Sequence, residues 1–183
     1  MAVDLKGAAV ETATGTGTAT FQTDSGHFSS LTAVSEGTLP AGGKPDFIFA
    51  HGFFSFIITG LSNGQAATIT ITLPSAAPVG TQFWKYGPTP DNPTDHWYQI
   101  PIGDDDGDNV ITITITDGGV GDDDLTANGR ITDQGGPGQQ RIKVVGGVVT
   151  PVNKLQILVP YLALAGLVGA ATATFTIRKR RRE

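Results

Sequence analysis

Apolar and polar residues alternate strictly in two stretches of the chain. Ala67–Leu73 reads ATITITL and Val110–Thr116 reads VITITIT, which places Ile69, Ile71 and Leu73 on one face and Ile111, Ile113 and Ile115 on another. A period of two residues marks a strand with one side in a core. Asp46–Gly60 (DFIFAHGFFSFIITG) holds Phe47, Phe49, Phe53, Phe54 and Phe56, and its second half alternates as well. The Ser62-Asn63-Gly64-Gln65 turn follows, so this segment and Ala67–Leu73 together predict a hairpin.

Weaker alternation predicts further strands over residues 14–23, Phe28–Val34, Gly80–Tyr86 and His96–Ile100, with Arg130–Asp133 closing a sheet. In Gly80–Tyr86, Phe83 and Lys85 fall on one face, Trp84 and Tyr86 on the other. Proline and glycine break the pattern at Leu39–Pro45, at Pro74–Pro78 and at Gly87–Pro93, and residues 134–140 read as a Gly-rich connection. Short strands at this spacing, with no helix signal before Asn153, predict an all-β fold. The architecture expected is an antiparallel two-sheet sandwich, Ig-like or jelly-roll-like, over residues 14–138. Residues 1–13 and 139–154 read as linkers.

The pattern changes at Leu155. Residues 155–177 (LQILVPYLALAGLVGAATATFTI) contain no charge, and Arg178, Lys179, Arg180, Arg181 and Arg182 follow at once. As a helix this run measures about 34 Å at about 1.5 Å per residue. A hydrocarbon core is about 30 Å thick, so the run predicts one C-terminal transmembrane helix with the lipid bilayer as its partner. Lys and Arg beside a span stay cytoplasmic, which makes 178–183 a cytoplasmic basic tail of a single-pass protein and puts residues 1–154 outside the cell.

Charge sharpens this division. Residues 1–154 carry 16 acidic and 7 basic side chains, whereas the tail carries five basic residues and Glu183. An acidic outer domain without a basic patch repels nucleic acid. There is no cysteine, so the outer domain holds together without disulfides. The first ten residues have neither the basic start nor the apolar core of a signal peptide. Export then predicts a C-terminal module of a longer chain whose upstream domains carry the signal. The alternative is a tail-anchored cytoplasmic protein, against the positive-inside rule.

Two acidic loops are the candidates for ion chemistry. Asp104, Asp106 and Asp108 have the one-residue spacing that brings carboxylates round a Ca²⁺ ion, and Asp122 and Asp124 form a second, sparser set. A seven-residue strand spans about 23 Å, so the two loops cannot share one ion. Neither fits an EF-hand loop. Trp84, Tyr86 and Trp97 form a candidate face for a surface glycan or for stacking on a partner, and equally suit a core, while exposed sheet edges are the candidate surface for self-association into a filament or lattice. An enzyme is not expected. The histidines, His27, His51 and His96, lack a metal-ligand spacing, and Ser55 with Asp46 lies in no nucleophile-elbow motif.

Several runs resemble the choice-of-anchor U domain of prokaryotic cell-surface proteins. They are Leu31–Val34, His51–Phe56, Gly80–Pro90 with its Trp-Lys-Tyr-Gly-Pro core, Trp97-Tyr98, Gly107-Asp108, Asp117–Asp124 and Asp133–Gly138. The resemblance covers about two thirds of the chain. It implies a module near the C-terminus of an exported protein, placed just before an anchoring signal, and it implies no catalytic residues.

Overall fold

A computed structural model describes residues 6–141, and the expected membrane span and basic tail lie outside the described residues. Ten strands follow one another: β1 (Gly7–Glu11), β2 (Thr18–Thr23), β3 (His27–Val34), β4 (Phe47–Ile48), β5 (Phe53–Thr59), β6 (Ala66–Thr72), β7 (Gln82–Thr89), β8 (Asn92–Ile100), β9 (Val110–Thr116) and β10 (Arg130–Gln140). One 3-10 turn, Glu36–Thr38, is the sole helical element among the described residues.

The alternating segments behave as their pattern requires. β6 and β9 pair antiparallel along their whole length, with Ile69 opposite Ile113 and Ile71 opposite Ile111. Their isoleucines point inward and their threonines line the other face. With β2 and β1 they make a four-stranded sheet in the order β1-β2-β6-β9. The second sheet runs β3-β5-β10-β7-β8, with β4 added on the far end of β10. Side chains from both inner faces meet in one core, where Phe21 of the first sheet lies edge-on to Phe54 of the second at 5.0 Å between centroids. The two-sheet antiparallel sandwich is therefore present.

Three connections differ from expectation. Residues 7–11, expected as linker, form β1 and extend the first sheet by pairing with β2. The hairpin expected between Asp46–Gly60 and Ala67–Leu73 does not form, because β5 and β6 belong to different sheets. The Asn63-Gly64 turn instead carries the chain across the sandwich. It is held by the Leu61 N–H bonded to the Gly129 carbonyl at 3.1 Å and the Gly64 N–H bonded to the Asp117 carboxylate at 2.8 Å. A core-facing strand buries its apolar side equally well on either sheet, so the turn residues alone do not choose.

The third difference concerns residues 134–140. This Gly-rich stretch is the middle and end of β10, which pairs with β5 on one side and β7 on the other. Its glycines leave room for neighbouring large side chains. A Cβ on Gly135 would clash with the edge of the Phe83 ring and lie 3.0 Å from Lys85 Cγ, and one on Gly138 would lie 2.7 Å from the Phe49 ring. Gly135→Ala is therefore an overpacking change against two fully buried side chains, and should cost about 1–3 kcal/mol. A chemical melt with unchanged m-value would measure it. A loss within a few tenths of a kcal/mol would mean that β10 can shift aside. Proline is tolerated in β8 because that strand forms the sheet edge. The expected Pro-rich turn, Gly87–Pro93, shrinks accordingly to a tight link between β7 and β8, with Thr89 opposite Asn92.

Candidate functional site

β7 and β10 each carry a charged residue where the alternation calls for an apolar one. On β7 the inward residues are Phe83, Lys85, Gly87 and Thr89, and on β10 they include Ile131 and Asp133. Gly135 stands directly opposite Lys85, so Asp133 lies diagonally across the ladder from it on the same face. The bare Gly135 lets the lysine stem lie over β10, and the Lys85 ammonium donates to Asp133 Oδ1. Both side chains have no exposed surface.

The loop between β9 and β10 closes over this pair. Lys85 Nζ also donates to the Gly121 carbonyl at 2.8 Å and lies 3.3 Å from Asp123 Oδ1. Gly87 makes the space for that carboxylate, since a Cβ there would sit 2.9 Å from Asp123 Oδ1. The Tyr98 ring, opposite Lys85 on β8, brings its buried hydroxyl to the same cluster. Among the described residues, Asp133 Oδ2, Asp123 Oδ1 and the Tyr98 hydroxyl find no hydrogen-bond partner. One cation thus faces two carboxylates in a dry core, an arrangement in which desolvation rivals the Coulombic gain.

Protonation follows from this burial. Burial pushes the Asp123 carboxyl up to about 7, with the Lys85 charge pulling it down and the Asp133 charge adding to the rise. Burial likewise raises Asp133, against the opposing pull of Lys85. The Tyr98 phenol is raised as well, first by burial and then by the charges of Asp123 and Asp133.

Backbone amides fasten the loop itself. Asp117 accepts from Gly64 N–H at 2.8 Å, Asn128 N–H at 3.2 Å, Gly129 N–H at 2.9 Å and Arg130 N–H at 3.3 Å. Asp122, fully buried, accepts from Gly118 N–H at 2.8 Å and Thr132 N–H at 2.9 Å. Burial raises the Asp122 carboxyl, and these two amides work against the rise. The Asp123 N–H completes the seam by donating to the Thr132 carbonyl at 2.8 Å.

These contacts place the residues singled out as ion ligands. Asp122 spends one oxygen on each of its amides, and Asp124 turns to the Thr126 N–H and the Asn128 amide. In the other loop, Asp106 accepts from the Asp108 N–H at 3.0 Å and Asp108 from the Val110 N–H at 2.6 Å. Asp105 holds the Gly80 N–H with both oxygens. Asp104 lies at the start of the same loop, half-buried. Among the described residues no three His, Cys, Asp or Glu side chains converge as metal ligands.

Trp84, Tyr86 and Trp97 do come together, on the outer face of the larger sheet and away from the main core. Tyr86 and Trp97 stack 5.3 Å apart, Trp97 packs on Phe53 at 5.7 Å and Trp84 on Phe47 at 5.3 Å. The segment after β3 reaches over this face, and Trp97 Nε1 donates to the Pro40 carbonyl at 3.1 Å. All three rings are half-buried as a result. His51 is tied to the hydroxyls of Thr16 at 2.8 Å and Ser75 at 3.2 Å, and burial lowers its pKa. Asp46 pairs with Arg141 at 2.9 Å.

The Lys85–Asp123–Asp133 cluster was not singled out from sequence, although its signal is there. Phe83-x-Lys85 and Ile131-x-Asp133 each put a charge in phase with a core residue. The sequence also gives Trp84 and Tyr86 an equal claim on the inside, and only the pairing decides. Comparison with family models, with curated proteins and with solved structures finds no match.

Proposed function

We propose that this chain is an anchoring and spacer module of a cell-surface protein, with residues 155–177 holding it in the membrane and the sandwich standing outside. The observation that carries the reading is the order of parts along the chain. An acidic, cysteine-free β-sandwich is followed by a charge-free run long enough to cross a bilayer, and then by five consecutive basic residues. The resemblance to choice-of-anchor modules points the same way. In this role the sandwich holds whatever precedes it away from the lipid, and its stability is its function. No helix among the described residues is long and apolar enough to span a membrane, so the anchor in this reading rests on 155–177 alone.

Expression behind a bacterial signal peptide and an N-terminal reporter tests it. The full chain should fractionate with membranes, resist carbonate extraction and expose its reporter to protease on intact spheroplasts. Deletion of 155–183 should release the protein into the soluble fraction. Recovery of the full chain as soluble protein, or a protected reporter, would overturn the proposal.

A further inference from the structure

The geometry points to an intramolecular amide bond between Lys85 Nζ and Asp133 Cγ, formed by the folded domain itself with Asp123 as the proton-transferring acid. The inference stands independently of the membrane reading, because it uses only groups inside the sandwich. The Lys85 amine and the Asp133 carboxyl are already in contact, on neighbouring strands, with no exposed surface on either side chain. A second carboxylate, Asp123, lies 3.3 Å from the nucleophilic nitrogen. Among the described residues, Asp133 Oδ2 is buried without a hydrogen-bond partner, so one oxygen of the acid is uncommitted.

The step is a condensation that needs no oxidant, reductant or co-reactant. A proton passes from the Lys85 ammonium to the carboxylates, leaving a neutral amine and a protonated acid. Asp123 hydrogen-bonds the Asp133 carboxyl in its acid form, and Nζ attacks Cγ to give a tetrahedral centre. The C–N bond forms, one C–O bond breaks, and that oxygen leaves as water with two of the three ammonium protons. Asp123 ends as it began. In bulk water this balance favours the separate acid and amine. Three features of the core reverse it: two buried charges disappear, the released water is excluded, and the reacting atoms are held in contact at high effective molarity. Burial raises the Asp123 carboxyl, which supports its role as the acid near neutral pH. The Gly121 carbonyl, 2.8 Å from Nζ, can hold the one hydrogen that the amide nitrogen keeps.

Intact-mass spectrometry of the full-length chain, purified in detergent, tests the inference. The expected mass is one water below the sequence mass. Protease digestion should yield a branched peptide joining the Lys85 and Asp133 segments, with Lys85 unavailable to amine-reactive reagents after denaturation. Lys85→Arg and Asp133→Ala should restore the full mass. Asp123→Ala should retain the ion pair with the full mass, and circular dichroism with a cooperative melt would establish that it is folded. A wild-type chain that is folded, at full sequence mass and with a reactive Lys85, overturns the proposal, as does a water loss mapped to an Asp-Gly succinimide. A cross-link formed as fast in folded Asp123→Ala as in the wild type would remove Asp123 from the chemistry.

Discussion

In a chain whose Lys85 and Asp133 remain an unlinked ion pair, replacing Lys85 by alanine should destabilise the domain by about 3–5 kcal/mol, the range seen when one partner of a buried charge pair is removed. Domains of this size are stable by about 5–15 kcal/mol, so such a variant sits near the folding threshold. The loss comes mainly from what stays behind. Asp133 and Asp123 would face each other in a dry core with no cation, and the Gly121 carbonyl would lose its donor. The penalty should depend on pH with a defined sign. Both carboxyls are raised by burial, so each binds its proton more tightly folded than unfolded. Stability from that proton is full below the ordinary carboxylate range and is lost as pH rises through the folded value, about 7 for Asp123. Urea midpoints for Lys85→Ala should therefore fall further at about pH 8 than at about pH 5. A Lys85→Met/Asp133→Leu double variant should recover much of the loss, because it removes one charge of each sign and fills the volume. A Lys85→Ala protein within 1 kcal/mol of the wild type at both pH values, roughly the worth of a surface pair, would mean that solvent reaches the cluster.

Asp117→Ala should be the other large change, costing about 1–3 kcal/mol, because the carboxylate is buried and its loss leaves part-buried backbone donors unmet. Its carboxylate gathers amides from two distant parts of the chain, Gly64 at the crossover from β5 to β6 and Asn128, Gly129 and Arg130 at the entry to β10. Asparagine keeps one acceptor oxygen and should fall between alanine and the wild type. The pH dependence runs opposite to that of the lysine cluster. Burial pushes the Asp117 carboxyl up, but the four amides outweigh it and hold it below the usual range. Its stabilisation is full above that range and is lost as pH falls through the folded value. Thermal melts between about pH 6 and about pH 2 should show a shallower acid limb in Asp117→Ala than in the wild type. Identical acid limbs would assign the amides' stabilisation to the loop backbone rather than to the carboxylate.

These two sites show where sequence is a good guide to this fold and where it stops. β9 was legible to the residue, because Val110–Thr116 alternates without interruption and a one-residue slip would turn its isoleucines outward. The all-β class and the two layers follow from the same pattern. Sheet membership was not legible. Phe54-x-Phe56-x-Ile58 and Ile69-x-Ile71 would bury equally well as partners in one sheet, and the crossover depends on a carboxylate more than fifty residues away, in Asp117. β10 was hidden for a different reason. Gly135, Gly136, Pro137 and Gly138 have low strand propensity, and they serve as a strand because Phe83, Lys85, Phe53 and Phe49 occupy the space their side chains would take. The lysine cluster inherits that difficulty, since Lys85 reads as a solvated residue until β10 is recognised beside it. Composition suggests a cation at the consecutive aspartates, and it does not reveal that Asp122 and Asp108 also accept from nearby amides.

The position of β10 has a consequence for when the domain can fold. β3 with β5 and β7 with β8 form two separate hydrogen-bonded pairs, and the last strand among the described residues is the piece that joins them. The four-stranded sheet is complete once Thr116 has emerged, whereas the larger sheet waits for residues 130–140. Until then the β5 and β7 edges stand open, each offering unpaired amides and carbonyls to any extended segment within reach. The sandwich therefore cannot close until residues 130–140 are free to pair. Docking of β10 becomes the closing step of assembly, and a β10 segment from a second chain is a competitor for the same slot.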